Sequence, residues 1–170
     1  IPSLRPEEVV GVVKAYSSCV GEGPFTVEWF GEEAEKLREA GGEYGAKTGR
    51  PRRVGPLDIV ATRYGCKAQG TTNVAFTKLD VLSYMDKIPV CTKYKINGEL
   101  TDDFPFATIL SKAEPVIEYV DGWKEDISRV RKFEDLPKAC QEYVLYVEKQ
   151  IGTHIGYVSV GAERDAIIIR

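Results

Sequence analysis

The chain has 170 residues, 43% of them apolar and 29% charged, which is a globular composition sized for about one domain. Its 23 Lys and Arg against 26 Asp and Glu leave a net charge of −3, the wrong balance for a protein whose main work is neutralising nucleic-acid phosphates. No apolar run approaches the ~20 residues of a membrane-spanning helix and no charged-then-apolar leader opens the chain, so a cytoplasmic protein acting away from membranes is expected. The four cysteines, Cys19, Cys66, Cys91 and Cys140, lie far apart without a CxxC pair, which argues against a disulfide framework or a zinc site. The first residue is Ile1 rather than Met, so part of a longer protein is expected.

In chain order, Pro6, Glu7 and Glu8 stand where a helix starts, and Val9, Val10 and Val13 give it a face, predicting a helix over Pro6 to Tyr16. Val20 to Phe25 is a loop with two Gly and a Pro. A helix from Trp29 to Ala40 is stopped by Gly41-Gly42. The loop Gly45 to Arg53 follows, and then a helix whose first turn carries Pro56, with Leu57, Val60, Ala61 and Tyr64. Val74-Ala75-Phe76 reads as a buried strand running into Thr77-Lys78-Leu79-Asp80. Asn97-Gly98 between alternating segments marks a two-residue hairpin, and Glu114 to Val120 a further strand. Pro137 to Ile151 is a helix with Cys140, Tyr143, Val144, Val147 and Ile151 on one stripe and Gly152 at its end. Ile155 to Val158 and Ala166 to Ile169 are closing strands. The class is α/β, in one domain spanning 1–170.

Three segments could carry chemistry. An Asp at the carboxyl end of a parallel strand, as in Lys78-Leu79-Asp80, accepts hydrogen bonds from the ring N–H and amino group of guanine, while the Lys stem lies over the purine. Adenine lacks that donor pair and would leave the carboxylate unpaired. The bland counterpart is a solvated strand-end turn. Lys47, Arg50, Arg52 and Arg53 put four cations on a loop with Gly45 and Gly49. That suits an amino-acid carboxylate or a phosphate, a solvated charged turn, or a small nucleic-acid contact. Ser159-Val160-Gly161 is either a plain turn or one whose main-chain groups border a flat base. His154, the only histidine, has no partner motif and reads as a cap or surface residue. The glycine-rich phosphate loop GxxxxGK[ST] is absent from the sequence.

Together and in order, VGEGPF at 20–25, Gly45 to Arg53, Leu57-Asp58, Thr77 to Leu82, Gly122-Trp123, Asp135-Leu136-Pro137, Ser159-Val160-Gly161 and Arg164 resemble the C-terminal part of the adenylosuccinate synthetase family. The resemblance runs from about Ser17 to the end. It implies the C-terminal part of a P-loop-NTPase-like, mostly parallel sheet with flanking helices and a small antiparallel hairpin region. It also implies a ligase of purine biosynthesis: GTP phosphorylates the 6-oxygen of IMP, and L-aspartate displaces the phosphate to give adenylosuccinate. Ala46, Lys47, Thr48, Gly49, Arg50 and Arg52 would then serve aspartate and IMP. Arg52, Lys78, Leu79, Asp80, Ser159, Val160 and Gly161 would serve GTP. The family's phosphate loop, catalytic residues and Mg²⁺ ligand belong to its N-terminal half, so no catalytic or metal-ligating residue is assigned here and the chain alone would be inactive. A homodimer is implied for the whole enzyme. Departures from the family pattern are Lys47 for Thr, Cys19 for Arg, Pro56 for Trp, Ala162 for Pro, and Thr26 where a Pro usually follows Phe25. The rival readings are a noncatalytic guanine-nucleotide-binding module and a nucleic-acid contact through Arg50 to Arg53.

Overall fold

The computed structural model describes residues 6–170. The segment expected to be the first helix is instead strand β1 (Val10–Lys14). Its β-branched valines favour the pleated chain, and its hydrogen-bonding partner lies more than 60 residues away, beyond the reach of a local start signal. Then come β2 (Ser17–Cys19), α1 (Gly31–Gly41), β3 (Arg53–Gly55) and β4 (Leu57–Asp58). The helix expected from Pro56 is α2 (Ile59–Gln69), which begins three residues later because Asp58 Oδ1 accepts from Ala61 N at 3.0 Å and fixes the N-cap. β5 (Asn73–Thr77) leads into a 3-10 helix at Leu79–Tyr84.

The long strand β6 (Lys87–Ile96) turns through Asn97-Gly98 into β7 (Glu99–Thr101). Asn97 and Gly98 have φ of 52° and 90°, as a two-residue hairpin with a primed turn requires. A short α3 (Ala107–Leu110), β8 (Glu114–Asp121), a 3-10 turn at Phe133–Asp135, α4 (Lys138–Ile151), β9 (His154–Ser159) and β10 (Ile167–Ile169) complete the chain. The stripe of α4 is buried as its spacing predicts: Cys140, Tyr143, Val144, Val147 and Ile151 all face the core.

One sheet has the order β1-β5-β9-β10, with β1, β5 and β9 parallel and β10 antiparallel. A second joins β4, β6 and β7, with β8 antiparallel along most of β6. The core between the sheets and helices is built on Leu37, Phe76, Leu79, Tyr143, Val147 and Ile155. Each such buried side chain contributes about 1.5–3 kcal/mol of transfer free energy. Tyr143 lies against Phe76 and Trp123, each ring centroid 6.0 Å away, and its hydroxyl donates to Ala15 O at 2.9 Å. That contact pins the carboxyl end of β1. Val12 on β1 and Ile169 on β10 stay exposed, as expected for apolar residues at sheet edges without a neighbour here.

Candidate functional site

The carboxyl ends of β1, β5 and β9 open on one edge. Phe76 pairs with Val158, so the chain leaves both strands side by side, at Lys78-Leu79-Asp80 and at Ser159-Val160-Gly161. Lys78 has φ 60°, ψ 33°, left-handed, uncommon for a residue with a Cβ. The turn it makes drops Leu79 into the core and leaves Asp80 half-buried. Burial pushes the Asp80 carboxyl upward, with Asp126 adding to the rise and Lys78 opposing it. Leu79 and Val160 are fully buried, so only their main chains remain for a ligand. Ser159 Oγ donates to Gly161 O at 3.0 Å, and Val160 N donates to Ala166 O at 3.0 Å, fixing the turn.

The basic loop is a closed hairpin rather than a free coil. Tyr44 and Pro51 form a bridge, Gly45 N donates to Arg50 O at 2.9 Å, and Gly49 N donates to Gly45 O at 2.8 Å. Its four cations part company. Arg53 is structural: it pairs with Glu28 at 2.6 Å, donates to the carbonyls of Gly21 and Gly23, and covers the Phe25 ring. It therefore holds the 20–25 loop in place. Lys47 and Arg50 sit at the exposed tip with Ala46, Thr48 and Gly49. Arg52 turns inward, and its Nη1 donates to Glu43 Oε2 at 2.8 Å.

Glu43 is the residue the sequence reading missed. Its side chain is 0% exposed. Oε1 accepts from Lys14 Nζ at 2.7 Å and from Tyr16 OH at 2.6 Å, and Lys78 Nζ stands 3.9 Å away. Burial alone would raise this carboxyl, but the hydrogen bonds from Lys14, Tyr16 and Arg52 outweigh it and hold the group below the usual glutamate range. Lys78 Nζ also donates to Gly41 O at 2.6 Å. One buried carboxylate thus gathers the ends of β1, the root of the basic loop and the lysine of the β5 turn. No spacing rule announces it, since its partners come from three separate segments. The only local hint is an acidic residue directly after the Gly-Gly that ends α1.

A family model described as adenylosuccinate synthetase matches residues 1–168. The chain belongs to the adenylosuccinate synthetase family. It is 50% identical over 161 residues to the adenylosuccinate synthetase of Bifidobacterium adolescentis, covering 94% of this chain and 38% of the relative. It is 50% identical over 165 residues to the chloroplastic enzyme of Ostreococcus tauri, covering 95% of this chain and 34% of that one. Among solved structures, the fully ligated adenylosuccinate synthetase from Plasmodium falciparum superposes with a TM-score of 0.91 at 41% identity, over 96% of this chain and 40% of that one. The chain thus spans somewhat over a third of the length of the adenylosuccinate synthetases it matches, and its sheet and flanking helices belong to their P-loop-NTPase-like fold. The family is one of ligases of purine biosynthesis.

Set on that frame, the segments expected to serve GTP, Lys78 to Asp80 and Ser159 to Gly161, lie together at one sheet edge, and Glu43 brings Arg52 to the same place. Lys47, Thr48 and Arg50 are exposed on the hairpin tip. His154 pairs with Glu148 at 2.9 Å on the surface. Among the described residues no helix is long and apolar enough to cross a membrane. No group of three or more His, Cys, Asp or Glu among them is arranged to hold a metal ion.

Proposed function

We propose that these residues form the guanine- and aspartate-recognising part, the C-terminal portion, of a GTP-dependent ligase that joins IMP and L-aspartate into adenylosuccinate, releasing GDP and phosphate. The observation that carries this reading is the pairing of β5 with β9, which sets the half-buried Asp80 carboxylate beside the Ser159–Gly161 turn. Asp80 accepts from the guanine ring N–H and 2-amino group, and the Lys78 stem lies along the purine. The Ser159–Gly161 main chain borders the base edge.

The hairpin tip offers Arg50, and its root Arg52, to the carboxylates of aspartate and the phosphates nearby. Tip and root differ in freedom: the tip is exposed and able to fold onto a ligand, while the root is anchored on Glu43. The chemistry itself, transfer of a phosphoryl group to the 6-oxygen of IMP and its displacement by the aspartate amine, needs a phosphate cradle that this sequence lacks. The 170 residues alone are therefore inactive. Mg²⁺, which the family implies, finds its ligands elsewhere in the enzyme, a cytoplasmic homodimer on this reading.

The test is direct. The protein made from the complete reading frame that contains these residues is given IMP, L-aspartate, GTP and Mg²⁺, and products are separated by chromatography. Adenylosuccinate and GDP appear in equal amounts, and ATP does not replace GTP. Absence of a GTP-dependent product, or equal use of ATP, overturns the reading.

A further inference from the structure

We propose that Glu43 is a positioning residue that couples guanine recognition to the aspartate loop. The proposal rests on the functional reading above and deepens it. The two recognition elements meet on opposite oxygens of one carboxylate. Oε2 takes Arg52 from the loop, and Oε1 takes Lys14 and Tyr16 with Lys78 Nζ at 3.9 Å. The main chain anchors the residue as well: Glu43 N donates to Arg38 O in the last turn of α1, and Arg52 N donates to Glu43 O, both at 2.9 Å. The carboxylate cannot slide to favour one side, because it is sealed from water and held at both ends.

Room for it is made by Gly41, where a Cβ would run into the Tyr16 hydroxyl and press on the Glu43 Cγ. Three cations share this single buried negative charge, so the position of each depends on the others. A ligand anion that draws Arg52 away leaves Glu43 to attract Lys78 and Lys14 more strongly. A base that orders Lys78 acts on Arg52 by the same route.

Tyr16 gives the cleanest handle. Its hydroxyl touches Glu43 but belongs to neither recognition element, and Phe fills the same buried space. The experiment measures kcat and the KM values for GTP and L-aspartate in the complete enzyme, its Tyr16→Phe variant and its Glu43→Gln variant, with thermal unfolding recorded for each. Both KM values rise together, by about tenfold in Glu43→Gln and by a smaller factor in Tyr16→Phe, because a hydrogen bond to a charged group is lost. kcat changes less than either. Unchanged KM values with a lower unfolding temperature mean a merely structural glutamate and overturn the proposal. Movement of only one KM overturns the coupling. If Glu43→Gln does not fold, Tyr16→Phe decides alone. If the unaltered enzyme makes no adenylosuccinate from GTP and aspartate, the functional reading itself falls and takes this proposal with it.

Discussion

Two regions of the molecule each bury a carboxylate, and they treat it in opposite ways. At the edge of the parallel sheet, Glu43 is surrounded by Lys14, Arg52 and Lys78, and the hydrogen bonds it accepts hold it below the usual glutamate range. Where β4 runs into α2 beside β6, Asp58 has only neutral donors, the Ala61 N–H and the Tyr94 hydroxyl at 2.6 Å, and burial raises its carboxyl despite them. Glu43 gathers three cations, which on the proposed reading face anionic ligands. Asp58 organises backbone: it caps α2 and fixes the Tyr94 hydroxyl. Burial of an acid is therefore no sign of function by itself; the sign is what the acid is paired with.

The largest expected effect separates the two sites by truncation. Removing a partner of a buried ion pair costs about 3–5 kcal/mol. Lys14 and Arg52 keep 29% and 34% of their side chains exposed, so solvent screens part of this. Glu43→Ala is expected to lose about 2–4 kcal/mol in chemical denaturation. Asp58→Ala is expected to lose about 1–3 kcal/mol, from the cap and the orphaned Tyr94 hydroxyl. Equal losses with equal effects on ligand binding would erase the distinction.

Acid sharpens it further. Glu43 is lowered in the folded state, so its contribution is complete above the unfolded glutamate range and disappears as pH falls through the lowered value. Asp58 is raised, so protonation favours the folded state, and its contribution is present below the unfolded aspartate range and lost as pH rises through the raised value. Stability measured against pH should show a shallower acid decline in Glu43→Gln and a smaller mild-acid gain in Asp58→Asn, the remainder coming from groups such as Glu148 and Asp80.

The core also differs from the surface in its thiols. Burial pushes Cys91 and Cys140 each up to about 12 and raises Cys66, while Cys19 is partly exposed on β2. A water-soluble thiol reagent should label Cys19 first in the native protein and all four cysteines only after unfolding. Fast native labelling of Cys91 would mean that the β4-β6-β8 sheet opens.

The smallest effect is on the chain alone. Two charge-assisted hydrogen bonds to guanine, at about 1.5–3 kcal/mol each, barely exceed the ~4 kcal/mol of a millimolar complex before ordering costs. Calorimetry of the 170-residue chain should find GTP bound no tighter than millimolar.

Much of this architecture is legible in the sequence where the signal is local. The stripe of α4 and the Asn97-Gly98 turn each carry their own geometry within a few residues, and the structure reproduces both. β1 misled because Pro6, Glu7 and Glu8 satisfy a local start rule, whereas the strand's stability comes from β5, a parallel neighbour distant in sequence. The start of α2 slid from Pro56 to Ile59 because a side-chain cap outranked proline's preference. In the candidate site, Lys78, Asp80 and the 159–161 turn were visible as motifs. The division of labour among the four loop cations was not, because Arg52 and Arg53 are committed by Glu43 and Glu28, 9 and 25 residues away. Glu43 itself shows only in three dimensions.

The most direct test of the central claim, that Asp80 reads guanine, exchanges its acceptor pattern. A carboxylate accepts twice, which suits the N–H and amino group of guanine; an amide donates once and accepts once, which suits the N–H and 2-oxygen of xanthine. The complete enzyme and its Asp80→Asn variant are compared for kcat/KM with GTP and with xanthosine triphosphate. Loss of GTP use by at least about tenfold, with a gain for xanthosine triphosphate, is the predicted result. An Asp80→Asn enzyme that keeps its preference for GTP would contradict the account.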